Sequence, residues 1–170
     1  MDAEELRATQ APIKDRYRAD PASATLTLHA HGALNDGSIA CSVDTGRALV
    51  EAGLHPATGG DASFACSGDM LLQALVACAG VTLRSVATAR GIEVTGTVRA
   101  EGDLDLRGTM GIDRTAPVEF RTIRLRFELD SDAADEDLDA LLATTERYCV
   151  VLQTLRTPPT VDTDLMRTPG

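Results

Sequence analysis

The chain has 170 residues, 44% of them hydrophobic, which suits one sizeable core and gives no reason to expect a second. Its formal net charge of −10 opposes long-range attraction to phosphate backbones and anionic lipid, and with 3% aromatics and no Trp it offers single-stranded bases little to stack on. No nucleic-acid partner and no membrane partner is expected.

The opening Met1-Asp2-Ala3-Glu4-Glu5 is acidic and lacks the basic start and apolar run of a secretory signal. No apolar stretch comes close to the ~20 residues that span a bilayer, so the expected location is cytoplasmic. In that reducing compartment Cys41, Cys66, Cys78 and Cys149 are expected as free or redox-active thiols rather than permanent staples. His29, His31 and His55 stand in the same chain, but no CxxC or HxxxH pair supplies metal ligands at a known spacing. Neither a metal nor a cofactor is expected.

In chain order, residues 1–24 read as a loose polar lead and residues 25–166 as a single domain. The alternation Leu26, Leu28, Ala30 and then Ile39, Cys41, Val43 around Asn35-Asp36-Gly37 predicts a hairpin with Cys41 on its buried face. Thr45 to Gly60, punctuated by five Gly or Pro residues, reads as a strand end followed by a loop. From Asp69 to Arg90, Leu71, Leu72, Leu75, Val76, Ala79, Leu83, Val86 and Ala87 fall at helical spacing, which predicts the central helix. Ser67 suits its N-cap, Asp69 its first turn, and Arg90-Gly91 its end.

Ile92, Val94, Val98 and Ala100 predict a half-buried strand with Gly96 as a bulge. A second strand runs from Val118 to Leu129, with a change of parity at Arg121 and Thr122. The acids between Asp132 and Asp139 precede a helical stripe through Leu138, Leu141, Leu142, Thr145 and Leu152, so they complement a helix dipole rather than form an interaction tail. Pro158 and Pro159 end this region, and Thr160 to Leu165 is expected to add an edge strand. Helices and strands do not alternate strictly, so the fold class is α+β, with antiparallel sheets packed around two core helices.

Cys78 lies about 20° around the helix from Leu71, on the core-facing side. A cysteine so placed is most often a small inert hydrophobe, and the same holds for Cys149 behind Tyr148. Each nonetheless sits on one of the two helices that form the core, and whether they approach within the ~4.4–6.8 Å Cα separation of a disulfide rests with the fold.

The segment GGDASFACSGDMLLQALVACAGVTLRSVATARGI resembles the first-helix signature of the OsmC/Ohr family, and TERYCVVLQTL resembles its second cysteine signature. With the order of elements, the resemblance covers roughly Leu26 to Val161. It implies an OsmC-like fold, an intertwined homodimer with its peroxide cleft between subunits, and a cysteine-based hydroperoxide reductase. The Cys78 thiolate would attack a peroxide oxygen and become a sulfenic acid, Cys149 would condense with it, and an external dithiol would reset the disulfide. An arginine before the helix and a carboxylate near its start activate the thiol in relatives. By position these are Arg47 and Asp69, with Glu51 a competitor for the carboxylate. Ser67-Gly68-Asp69 replaces the Pro-Glu-Glu-like helix start of many relatives, Val150 stands where proline commonly follows the second cysteine, and Cys66 is a thiol the signature does not explain. Two other functions stay open: a non-catalytic thiol sensor or binder of small apolar ligands, and a mainly structural dimeric partner.

Overall fold

The computed structural model describes residues 2–28, 30, 32–34, 40–44 and 49–167. The leading segment is not loose. Asp2 caps a helix, α1 (Ala3–Ala19), through a reciprocal capping box with Glu5, although no residue of α1 is buried. The first strand is displaced from its expected position. Leu26 and Leu28 are exposed and outside any strand, and the partner of β2 (Ala40–Asp44) is β1 (Gly32–Leu34), in register Leu34 to Cys41. Alternation marks a surface able to form a strand, but the ladder goes to whichever segment the turn brings opposite. The Asn35-Asp36-Gly37 turn and the facing of the Cys41 side chain lie outside what is described.

A strand, β3 (Leu49–Gly53), occupies part of the expected loop, antiparallel to β2 and parallel to the short β4 (Ala65–Cys66). Its Val50 and Ala52 are half-buried while Leu49 and Glu51 face outward, an alternation too short to stand out among the glycines. The order β1-β2-β3-β4 makes one sheet, which is therefore mixed rather than purely antiparallel. Gly53 pairs with Cys66, so β4 leads directly into the long helix α2 (Ser67–Arg90). Cys66, held extended by that pairing, is the N-cap residue and its side chain makes no capping bond. Ser67 begins the helix instead of capping it, while Gly91 closes it in the left-handed conformation, donating to the Ala87 and Thr88 carbonyls.

β5 (Thr95–Asp103) and β6 (Thr122–Asp130) form an antiparallel ribbon over the side of α2. Its register runs without a break from Thr95–Asp130 to Asp103–Thr122, so Gly96 is not a bulge. It is there because the strands come too close for a side chain: a Cβ on Gly96 would lie 2.0 Å from the Glu128 carbonyl oxygen, and its φ is +133°. The parity change before β6 is real in another form, since Val118 and Phe120 precede the strand. Between the two strands a single turn, α3 (Leu106–Thr109), is capped by Asp105. The acids Asp135, Glu136 and Asp137 occupy the first turn of α4 (Asp135–Tyr148), and α5 (Val150–Arg156) follows. Residues 157–167 add no strand, and Val161 and Leu165 are exposed. Pro158 and Pro159 cost that segment two backbone donors that an edge strand would use.

The core is centred on α2, whose Leu75, Ala79, Leu83 and Ala87 are buried at four-residue intervals. Leu83 and Ala87 pack with Val94 and Leu141, and Leu75 and Ala79 with Cys149. By length and composition α2 is apolar enough to cross a membrane, contrary to the sequence expectation. In this fold the ribbon, α4 and α5 pack against it.

Candidate active site

Two helices and a break in the chain build the site. The i, i+4 row Leu75–Ala79 turns one face of α2 toward α5 and the ribbon, and Cys78 sits beside that row, half-buried. On the other side, α4 ends and α5 begins at a single residue, Cys149, which is 0% exposed. Its N–H donates to the Thr145 carbonyl and its own carbonyl accepts from Gln153, both at 2.9 Å. An extended residue there (φ −72°, ψ 105°) leaves the first N–H groups of α5 without partners inside their helix. The fold therefore brings Cys78 and Cys149 into one apolar cluster with Leu75, Ala79, Val151, Leu152 and Leu155. Cys66, Cys78 and Cys149 are all free thiols.

The two thiols have opposite acidities. Burial pushes Cys78 up, but the N–H groups of Val151 and Val150 together with the Cys149 thiol and the Thr82 hydroxyl favour its ionised form, and the net position is below an ordinary cysteine. For Cys149, burial is the largest influence and pushes it up. Its neighbour Cys78 adds to this, the N–H groups of Leu152 and Val151 only partly oppose it, and the net position is above ordinary. The sequence reading sought a cation to ionise Cys78 because a thiol in the middle of its own helix gains little from that helix's end. The N–H donors come instead from a second helix that begins against it. The second cysteine signature implies a short helix beginning at its cysteine, and α5 begins at Cys149, although the apolar stripe running on to Leu152 does not itself mark the break.

The remaining expected residues are elsewhere. Arg47 lies outside the described residues. Asp69 is exposed in the first turn of α2, nine residues before Cys78, hence about 13 Å along the axis and about 180° around it. Within one chain it does not line the thiol. Glu51 is on the exposed face of β3 and has an interaction partner of its own. Thr82, one turn beyond Cys78, was not singled out from the sequence although the i, i+4 spacing pointed to it.

Beside the cysteine cluster is a concavity of about 590 Å³ with an apolar floor of Leu75, Ile123, Leu125, Leu152 and Leu155. Arg121, Arg126 and the Arg156–Glu146 pair rim it. A second of the same size, at Arg90, Glu93, Asp130 and Asp132, lies away from the thiols. Among the described residues no three His, Cys, Asp or Glu side chains group as metal ligands. Such a site can hold a thiolate at a half-open surface, admit an apolar group next to it, and supply a second sulfur from below.

Comparison with protein families matches residues 60–164 to the OsmC-like protein model. No curated protein sequence matches the chain. Among solved structures, an OsmC-like protein from Mycoplasma pneumoniae has a TM-score of 0.66 at 19% identity, covering 78% of this chain and 89% of that one. An organic hydroperoxide resistance protein OsmC from Legionella pneumophila, also described as a predicted redox protein, has a TM-score of 0.57 at 15% identity, covering 79% and 92%. An OsmC-like protein of unknown function from Vibrio cholerae has a TM-score of 0.57 at 14% identity, covering 76% and 94%. At these identities the likeness is one of fold.

Proposed function

Because this chain belongs to the OsmC-like family, we propose that it is a thiol-dependent peroxidase acting on organic hydroperoxides or hydrogen peroxide, with Cys78 as the reactive thiol and Cys149 as its resolving partner. The observation that carries this is the apolar cluster that holds both Cys78 and Cys149 where α5 begins, its opening N–H groups drawing the Cys78 thiol below the ordinary cysteine range. The name of the Legionella pneumophila neighbour points the same way.

The Cys78 thiolate attacks the distal peroxide oxygen and the O–O bond breaks. The sulfur is oxidised to sulfenic acid, and the departing alkoxide takes a proton from solvent to leave as alcohol. The Cys149 thiol displaces hydroxide from that sulfur, so a disulfide and water form. An external dithiol then exchanges twice, leaving two protein thiols and its own disulfide. Arg47 is the cation in this proposal, adding to the N–H groups of α5, and Asp69 or Glu51 is the carboxylate that orients it. A reducing compartment, the cytoplasm, suits such recycling.

The working form is a homodimer. A compact monomer of 17.9 kDa exposes about 8,000 Å², whereas this chain exposes 12922 Å². Exposed α1 accounts for part of the excess. The rest includes apolar side chains such as Leu71, Val81, Val118 and Val150, which suit burial against a second copy. Steady-state consumption of cumene hydroperoxide with a dithiol reductant tests the activity. Wild type turns over and Cys78→Ser does not. Oxidation of Cys78 without turnover would replace the enzyme reading with that of a sensor.

A further inference from the structure

Thr82 follows Cys78 by one helical turn, and its Oγ1 donates to the Cys78 carbonyl at 2.8 Å. Taken alone this is the common back-bond of a helical threonine. Thr144 makes it to Ala140 at 2.6 Å and Thr145 to Leu141 at 2.8 Å. At Thr82 the acceptor belongs to the residue with the acidified thiol, both side chains are half-buried, and the hydroxyl is among the groups favouring the ionised sulfur. A hydroxyl carries one proton and turns about its C–O bond, so that proton can serve one acceptor or the other.

Among the described residues, few other groups compete for that role. From α5, Val151, Leu152 and Leu155 face the cluster, and from the ribbon Val98, Ala100, Ile123, Leu125 and Phe127 do so, none of them charged. Of the charges nearby, Arg99 pairs with Glu128, Arg124 with Glu101 and Asp103, and Arg156 with Glu146, Arg147 lies over the Tyr148 ring, and Arg121 and Arg126 stand at the rim of the adjoining concavity. Among the described residues, the titratable group acting on Cys78 is Cys149.

We propose that Thr82 is a positioning residue for the Cys78 thiolate, its hydroxyl proton turning from the Cys78 carbonyl oxygen to the sulfur as the thiol ionises. The inference rests on Cys78 being the reacting thiol of the proposed function, but not on peroxide turnover. Alkylation of Cys78 by iodoacetamide as a function of pH, resolved by peptide mass spectrometry on the reduced full chain, reads the thiolate directly. In Thr82→Val the midpoint should move up by about one pH unit, the scale of a hydrogen bond to a charged atom. Thr82→Ser, which keeps the hydroxyl, should titrate with wild type, and Thr144→Val should leave Cys78 unmoved. If Thr82→Val loses its cooperative melt, Thr82→Ala takes its place on the same criteria. A Thr82 variant without the hydroxyl that titrates with wild type overturns the inference, as does a Thr144→Val shift of equal size. A chain that shows the shift yet consumes no peroxide keeps this inference and loses the enzymatic one.

Discussion

Cys78 and Cys149 divide one environment unequally: the same opening turn of α5 that favours a negative Cys78 sulfur leaves the buried Cys149 thiol less acidic than an ordinary cysteine. Cys78 should therefore alkylate at lower pH than Cys149 in the reduced protein. Peptide mapping across about pH 6 to 10 checks this. Simultaneous modification at every pH would show that the pair does not discriminate.

That difference also acts on stability. Cys78 has a folded pKa below its unfolded one, so its ionisation stabilises the fold fully above the ordinary thiol value of about 8.5, and this is lost as pH falls through the folded value. Cys149 has the opposite sign: its contribution is present below the ordinary value and lost as pH rises through its raised one. Cys78→Ser should therefore lose ground to wild type as pH rises toward about 8.5. Urea midpoints under reducing conditions at several pH values follow it, and a difference independent of pH would reject the assignment.

Stoichiometric peroxide should produce a Cys78–Cys149 disulfide within one chain. Mass spectrometry of the oxidised protein under denaturing alkylation identifies the pair. A Cys78–Cys66 link, or sulfinic acid at Cys78 with Cys149 free, would remove Cys149 as the resolving thiol.

Leu141 is fully buried and joins α4 to α2 through Leu83 and Ala87. Leu141→Ala should cost about 2–5 kcal/mol in denaturant unfolding, the range for a cavity that only partly collapses. Gly96→Ala should also be costly, because the Glu128 backbone cannot step aside as a side chain would. Gly91→Ala meets no neighbour within 4 Å and should cost only the left-handed conformation, about 1 kcal/mol. A melting series in which Gly91→Ala melts below Gly96→Ala would contradict the close approach.

Much of this fold was legible because long periodic runs bury one face. α2, the ribbon from Val94 to Leu129 and the acid-led α4 follow from spacing alone. The strands around β1 to β3 were harder to place, since Leu26 and Leu28 alternate as well as any strand and only the pairing decides. α1 was missed because its signal is a capping box at the chain's opening rather than a buried stripe. Cys78 and Cys149 were identified by resemblance to known signatures. What acidifies Cys78 was not legible, since backbone N–H groups carry no letter in a sequence and Cys149 interrupts an apolar stripe without altering its rhythm.

The acidic thiol is assembled from two distant stretches of the chain, and during synthesis those stretches leave the ribosome at different times. Cys78 emerges early, while the Val150 and Val151 N–H groups arrive after the whole β5–β6 ribbon. Until that last stretch docks, Cys78 lacks the N–H groups that favour its ionised form, so its acidity waits on the folding of the segment beyond the ribbon.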